Sequence, residues 1–535
     1  MPASRSVDML VVGAGFAGLY MVHRARGLGL DVEGVEAGAG VGGTWYWNRY
    51  PGARCDVESL EYSFSFDDDL QQEWEWTERY ATQPEILRYI EHVADRFDLR
   101  RSFRFGTRVT TATWSESTSR WTVETDAGDA YDARFLVMAT GCLSMPIDPQ
   151  IPGLDTFAGE ILYTSRWPHA EPDLVGKRVG VVGTGSSAVQ SIPLIAERAA
   201  ALTVFQRTPT YAVPAHNRPL DPEEQAAVKA RYAELRAEAR QMAIATGSRV
   251  PRIDASAMEV DDQIRHQRFE QAWEWGGLPF LGAFNDLIID PAANETAAEF
   301  VRTKIREQVS DPEVAERLTP RQVIGCKRLC VDSGYYATFD QPHVRLVDVG
   351  ATPIDAVTPT GVRLGSEDHE DIELDVLVLA TGFDAMTGAL DRIDIRGRDG
   401  VTLRETWAAG PKTYLGLGVH GFPNLFTVTG PGSPSVLANM VVAIEHHVDW
   451  ITDTVAHLDR SGQATIEAEP EAQEQWVAYV NDVASFTLFP TCGSWYLGAN
   501  VPGKPRVFMP LIGFPGYVQQ VADVTADAYR GFTLA

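Results

Sequence analysis

The chain is poor in cysteine, short of basic residues for its acid content, and has no long apolar run. Its five cysteines, Cys55, Cys142, Cys326, Cys330 and Cys492, are odd in number and scattered. That pattern points to reduced thiols in a cytoplasm and not to a disulfide framework. Only Cys326 and Cys330 lie close together, and without a second pair or a histidine cluster they make no metal site, so no metal is expected. Lysine and arginine number 46 against 73 acidic residues, a formal net charge of −27. Such a field repels phosphate backbones and anionic membranes, which excludes nucleic acid and membrane as partners. An anionic cofactor must therefore be held by locally placed cations. No run reaches the ~18 apolar residues of a membrane span. The N-terminus passes from one arginine into a strand and a glycine turn, unlike a signal peptide.

What is present is organised. At 535 residues the chain exceeds one compact core, so two or three domains are expected. Met9–Val12 is a short apolar run followed by Gly13-Ala14-Gly15-Phe16-Ala17-Gly18, a helical stretch from Leu19 to Leu28, and a second strand, Val32–Glu36. The same order returns at Arg178–Val182, Gly183-Thr184-Gly185-Ser186-Ser187-Ala188, Val189–Ala199 and Leu202–Gln206. Two further apolar strands, Phe135–Met138 and Val376–Leu379, both run into Ala-Thr-Gly, as strands that end beside a cofactor do. Between roughly 220 and 320 the chain is rich in Ala, Glu, Arg and Lys. AVKARYAELRAEARQMA and FVRTKIREQV read as amphipathic helices whose charges are solvated faces.

This order predicts an α/β protein with two Rossmann-like dinucleotide-binding domains. Residues 1–145 and 380–535 would form a discontinuous FAD-binding domain, and 153–215 and 322–378 an NADP-binding domain. Residues 216–321 would be a helical insertion.

A lone glycine-rich turn is weak evidence, because glycine clusters are common loops. Here each turn has a strand before it, a helix after it and a second strand at the expected distance. Gly13, Gly15, Ala17 and Gly18 would bring backbone N–H groups at a helix N-terminus to a pyrophosphate. Glu36 lies 23 residues beyond Gly13, where a carboxylate accepts hydrogen bonds from ribose hydroxyls, as FAD or NAD requires. In the second unit the carboxylate is missing and Arg207 stands 24 residues beyond Gly183. Arginine pairs with a 2′-phosphate, so the second coenzyme reads as NADPH; the alternative is a plain surface charge. A disulfide reductase would carry a cysteine pair beside the flavin, and only Cys55 lies in that region.

The run Gly42-Gly43-Thr44-Trp45-Tyr46-Trp47-Asn48-Arg49-Tyr50-Pro51-Gly52-Ala53-Arg54-Cys55-Asp56 strongly resembles the flavin-side motif of the type I Baeyer–Villiger monooxygenases. The linker Phe157-Ala158-Gly159-Glu160-Ile161-Leu162-Tyr163-Thr164-Ser165-Arg166-Trp167-Pro168 resembles the family's F-x-G-x-x-x-H-x-x-x-W-P pattern, whose final Trp separates it from related flavin monooxygenases. The likeness continues through Gly325–Leu329, Gly430–Ser435 and Ser494–Asn500, and so spans essentially the whole chain. The phenylacetone- and steroid-oxidising members look most alike. One position departs: Tyr163 stands where the family has His, and a phenol cannot become cationic near neutral pH. The change puts coupling of domain movement to turnover in question more than the reaction type.

The resemblance implies an enzyme that uses NADPH and O2 to turn ketones into esters or lactones through a C4a-peroxyflavin. It places Arg328 as the cation that stabilises the anionic intermediates and Asp56 as the carboxylate that orients it. The bland alternative is a structural ion pair between domains. Flavin contacts would fall on Thr44, Trp45, Tyr46, Trp47, Arg54, Cys55, Asp56, Tyr62, Val109 and Met440. Coenzyme contacts would fall on Thr184, Gly185, Ser186, Ser187, Ala188, Val189, Gln190, Arg207, Thr208, Lys327 and Arg328, with Trp495 closing over NADP. A lone Trp is more often core, and Trp495 is named on the resemblance alone. Ser435, Val436, Leu437 and Met440 would shape the substrate pocket. Glu445-His446-His447 reads as packing or surface, since adjacent histidines diverge by about 100° on a helix. The expected assembly is a monomer or weak homo-oligomer. Rival readings are a flavin monooxygenase acting on N or S, which Trp167-Pro168 and Lys327-Arg328 disfavour, and a non-catalytic FAD/NADP redox sensor.

Overall fold

The computed structural model describes residues 4–250, 254–365, 369–499, 501–503 and 509–535. Two sheets organise it, and each grows from one of the glycine turns. In the first, strand Arg5–Val12 lies between Val32–Val35 and Ala130–Met138, parallel to both. Residues 7 and 9–12 of that strand are buried on both faces, which is why the run is apolar instead of alternating. Leu425–Thr427, from late in the chain, adds to Ala130–Met138 in parallel, and the antiparallel strands Arg120–Thr125 and Val109–Ser115 extend the sheet. Asp394–Arg396 pairs with Val109–Ser115. The second sheet is five-stranded and wholly parallel, in the order Val344–Asp348, Ala201–Gln206, Arg178–Val182, Val376–Leu379, Glu160–Tyr163. The fold is therefore α/β, with two Rossmann-like sheets, the first parallel at its centre with an antiparallel extension and the second wholly parallel.

The two turns are built alike. Gly13 has φ +110° and Gly183 φ +116°. A Cβ on either would lie 2.5 Å from a carbonyl oxygen, that of Ala139 or Ala380, at the Ala-Thr-Gly end of the neighbouring strand. Helices Phe16–Gly27 and Ser186–Ala196 follow. In the first turn a Cβ on Gly18 would sit 1.7 Å from the Gly13 carbonyl oxygen, whereas the second turn accommodates Ala188 there.

The helical stretch differs from expectation in two ways. AVKARYAELRAEARQMA is not one helix: Pro222–Lys229 and Tyr232–Arg240 are separated at Arg231, whose φ −113° and ψ 13° leave the helical region. The break lets Lys229 donate to the Gln72 carbonyl (2.9 Å) and Tyr232 enter the core around the first sheet. Several of its arginines are not solvated either. Arg236 donates to Ser63 O and Oγ at 3.1 and 2.8 Å, and Arg249 pairs with Glu58 across the same seam. Further on, Asp262–Trp275 and Pro291–Gln308 pack Phe269, Trp273 and Val301 against the second sheet. The stretch thus buries side chains against both sheets. Among the described residues no helix is long and apolar enough to cross a membrane.

Gly18→Ala is expected to cost about 3 kcal/mol by overpacking the first turn, and to lower bound flavin. Ala188→Gly should cost only the ~1 kcal/mol of a helix glycine. Thermal unfolding with flavin release checks both; equal losses would contradict the asymmetry.

Candidate active site

The centre is an ion pair between segments far apart in sequence. Arg328 Nε donates to Asp56 Oδ2 at 3.2 Å, and Nη1 donates to the Val436 carbonyl at 3.0 Å. The side chains are 24% and 12% exposed, so the pair is largely withdrawn from water. Burial works against the Arg328 charge, but the neighbouring Tyr496 hydroxyl and Asp56 more than offset it and its pKa rises. Burial raises the Asp56 pKa, with Arg328 opposing. Beside the pair lies an apolar cluster that includes Met386, Val436, Met440, Phe489, Trp495 and Tyr496. The loop supplying Val436 is held in strained backbone, with Ser435 at φ +44° and Thr429 at φ +52°. Asn439 anchors its end, accepting from Val441 N (3.1 Å) while its amide donates to Glu61 O (2.8 Å).

Gln190, on the second glycine-turn helix, reaches into the same centre. Its Oε1 accepts from Tyr50 Oη (2.9 Å) and Arg54 N (3.4 Å), and its Nε2 donates to Arg54 O (3.1 Å) and Asp56 Oδ1 (3.5 Å). A Cβ on Gly52 would come within 2.2 Å of Gln190 O, so the two segments touch backbone to backbone. The Gln190 side chain is thus engaged across the seam with Tyr50, Arg54 and Asp56.

The residues expected at the first cofactor divide into two groups. Glu36 is buried and accepts from Ala14 N (2.7 Å) and Gly38 N (2.6 Å). Gly15 and Gly43 lie against each other, where a Cβ on Gly43 would be 2.9 Å from Gly15 Cα. Trp45 Nε1 donates to Tyr62 Oη (3.2 Å), with Thr44–Trp47 forming one short helical turn. Tyr46 Oη accepts from Ala39 N (3.1 Å), and Tyr46 packs edge-on to Trp47 and His169. Cys55 is next to Asp56, its thiol pushed up to about 12 by burial. Others point elsewhere. The Arg54 guanidinium pairs with Glu78 (3.3 Å), Ala17 is in the core around the first sheet, and Val109 packs with Val12 and Val35.

At the second turn, Ala188 and Val189 are core, while Thr184 Oγ1 donates to Thr208 O (2.7 Å). Ser187 Oγ is 3.2 Å from Thr164 Oγ1, and Ser186 Oγ is 3.5 Å from Cys330 Sγ. Arg207 is exposed, and Lys327 lies close enough for its pKa to be lowered first by burial and then by the Arg207 charge. Among the described residues neither has a carboxylate partner. Two facing cations without an anion favour a doubly charged ligand such as a phosphate. Trp495 lies against Tyr496 with ring centroids 4.3 Å apart and planes tilted by 45°. Asn500, which ends that motif, lies outside the described residues. Trp167 is buried in the core around the second sheet, and Tyr163 is half-buried on the edge strand beside Val376–Leu379.

One cysteine expectation fails. Cys326 and Cys492 are bonded, with Cα atoms 5.8 Å apart, and Cys55, Cys142 and Cys330 are free. Tertiary folding brings together two thiols that are 166 residues apart, a distance at which spacing carries no pairing signal. The packing reading of Glu445-His446-His447 agrees with the geometry. His447 Nδ1 accepts from Thr429 N (3.0 Å) and Nε2 bonds Tyr517 Oη (2.8 Å), and Glu445 is buried against Ser65. Sequence reasoning missed Tyr496, although it stands inside the quoted Ser494–Asn500 run, and missed the contacts of Gln190, for which sequence carries no signal.

Two dinucleotide folds joined by a buried Asp–Arg pair define a two-cofactor flavoprotein class. A family described as pyridine nucleotide-disulphide oxidoreductase matches residues 10–273. A Baeyer-Villiger monooxygenase of Pseudooceanicola batsensis is 43% identical over 98% of this chain and 95% of its own length. Phenazine N-monooxygenase PhzNO1 of Lysobacter antibioticus is 41% identical over 98% of this chain and 97% of its own. Among solved structures, oxidised steroid monooxygenase bound to NADP has a TM-score of 0.94 at 53% identity, covering 99% of both chains. OTEMO complexed with FAD and NADP has a TM-score of 0.95 at 39% identity, covering 100% of both. The chain belongs to the Baeyer–Villiger monooxygenase family.

Gln190→Leu should strand the Tyr50 hydroxyl and the Arg54 amide, costing about 1–3 kcal/mol. It should also lower the ester formed per NADPH consumed, because Asp56 loses a donor. Thermal unfolding and product quantification check both; an unchanged midpoint would show that the bonds contribute nothing.

Proposed function

We propose that the chain is an FAD-containing, NADPH-dependent monooxygenase that converts apolar ketones to esters or lactones, consuming ketone, O2, NADPH and a proton and giving ester, NADP+ and water. The observation that carries this reading is the buried Arg328–Asp56 pair facing an apolar wall. Bound flavin supplies electron transfer from NADPH and activation of dioxygen. The chain's own part is electrostatic. When oxygen adds to a ketone carbonyl the product is a tetrahedral oxyanion, and a cation fixed in a water-poor site stabilises it strongly. Arg328 spends one N–H on Asp56 and one on Val436 O, which leaves other N–H groups for that oxygen. Asp56 holds the guanidinium plane, and the apolar side chains exclude water and accept the body of the ketone.

The cofactor sites fit these groups. Gly13, Gly15, Gly18 and Gly43 allow a close-packed turn that side chains would break, and Glu36, buried beside it, would offer its carboxylate to the ribose of FAD. Arg207 and Lys327, with Thr208 beside them, would hold the 2′-phosphate of NADPH. Trp495 would close over the coenzyme. Residues 1–145 with 380–535 would bind FAD, 153–215 with 322–378 would bind NADPH, and 216–321 would brace both. Tyr163 would alter how linker movement follows turnover without changing the chemistry. We place the enzyme in the cytoplasm as a monomer or weak homo-oligomer.

A second reading, oxidation of an aromatic ring nitrogen, draws on the phenazine N-monooxygenase relative. The Arg328 cation favours the ketone, since attack on a ring nitrogen builds no alkoxide beside it. Oxygen uptake and product mass spectrometry on cyclic, aryl and steroidal ketones and on a phenazine separate the two. Ester from a ketone is expected; N-oxide without ester, or hydrogen peroxide alone, would overturn the assignment.

Arg328→Ala should abolish ester formation while NADPH still reduces the flavin; ester yield near wild type would remove the assigned role. Arg207→Ala should weaken NADPH far more than NADH, and equal losses would contradict the phosphate site. Asp56 pairs with Arg328 only when ionised, and its pKa is raised, so ester formation should fall on the acid side above the ordinary aspartate range of about 4. An acid limb that persists unmoved in Asp56→Asn would assign it to another group.

A further inference from the structure

Cys326 and Cys492 bond two segments that both build the site. Cys326 immediately precedes Lys327 and Arg328, and Cys492 lies two residues before Ser494, whose side chain caps the turn carrying Trp495 and Tyr496. Tyr496 faces Arg328 across the same seam, so a covalent and an electrostatic contact join the two segments within a few residues. Both cysteines are buried, at 5% and 9% exposure, so the bond is open to small oxidants and small dithiols. Burial pushes the other thiols, Cys55, Cys142 and Cys330, up to about 12, 11 and 11, which leaves them as poor nucleophiles near neutral pH. What sets Cys326 apart from these is a partner sulfur, that of Cys492, with the two Cα atoms 5.8 Å apart.

We propose that Cys326 and Cys492 form a reversible redox latch: hydrogen peroxide closes it, a dithiol opens it, and the closed form holds the Trp495–Tyr496 segment against Arg328. The peroxide comes from turnover that releases activated oxygen without using it, so the source of oxidant rests on the function proposed above. The Cys326 thiolate attacks one peroxide oxygen, breaking the O–O bond and giving a sulfenic acid and, with one proton, water. The Cys492 thiol then attacks the Cys326 sulfur, forming the S–S bond and releasing a second water. Two electrons pass from the two thiols to one peroxide. A dithiol reverses the bond by exchange. With the latch closed, the wall made by Phe489, Trp495 and Tyr496 cannot swing away from Arg328, and exchange of ketone and product slows.

The test uses FAD-loaded enzyme, reduced with dithiothreitol, desalted, and then treated or not with hydrogen peroxide. Peptide mapping after alkylation should show a Cys326–Cys492 linked peptide only after peroxide, with two thiols lost per chain. NADPH-dependent ketone turnover should fall several-fold and return on reduction. Cys492→Ser and Cys326→Ala should keep the turnover of the reduced wild type and lose the response, and either variant serves if the other folds poorly. Failure to form the linked peptide, a linked peptide with unchanged turnover, or an equal loss in Cys492→Ser would each overturn the latch. Peptide mapping with added peroxide needs no ketone oxidation, and the rate of flavin reduction by NADPH reads the segment's closure as well. An enzyme that makes no ester therefore still decides the latch.

Discussion

Everything in this molecule converges on the meeting of Asp56 and Arg328. The pair draws one partner from the loop after the first dinucleotide unit and the other from the chain's return toward the second sheet, while Val436 O comes from a third segment. Withdrawing two charges from water is costly unless the geometry is good and the remaining hydrogen-bonding groups are satisfied. Gln190, Tyr50 and Tyr496 are placed where they meet that requirement. A buried guanidinium also stays charged, which is what an oxyanion-stabilising group must do. The same contact therefore joins segments from the two halves of the chain and, in the function proposed, supplies the fixed charge.

The two dinucleotide folds show how little must differ to change the ligand. Both begin with a left-handed glycine pressed against an Ala-Thr-Gly carbonyl, and both direct a helix N-terminus at the space above the sheet. What distinguishes them lies past the second strand. Glu36 is a buried carboxylate that accepts hydrogen bonds, and Arg207 is an exposed cation with Lys327 nearby. In a chain of net charge −27, two cations without carboxylate partners among the described residues stand out against the general field. Anion binding at this place, as proposed, would be a local arrangement that owes nothing to overall charge.

The stretch between the second unit and Arg328 was the hardest to read. Its Ala-, Glu- and Arg-rich composition was legible as helix, because propensity and apolar spacing act over a few residues. The break at Arg231 and the arginines that reach Ser63 and Glu58 were not legible, because a charge on a helix looks the same whether its face meets water or another segment. The cysteines posed the same difficulty. Odd number and wide spacing describe the unfolded chain, and say nothing about two thiols that folding brings to 5.8 Å between Cα atoms.

Local chemistry in the sequence was enough for the class of fold and the two glycine turns, and it raised Glu36, Arg207, Asp56 and Arg328 as candidates. Each of these depends on residues within about thirty positions of one another or on a motif read in place. Tertiary structure alone decided that Gln190 turns away from its own turn to hold Asp56, that Tyr496 faces Arg328, and that Cys326 meets Cys492. Those contacts span from about 130 to about 170 residues of chain. They exist only because the two glycine-turn units meet at a common seam, and no local pattern encodes which side chains will face each other there.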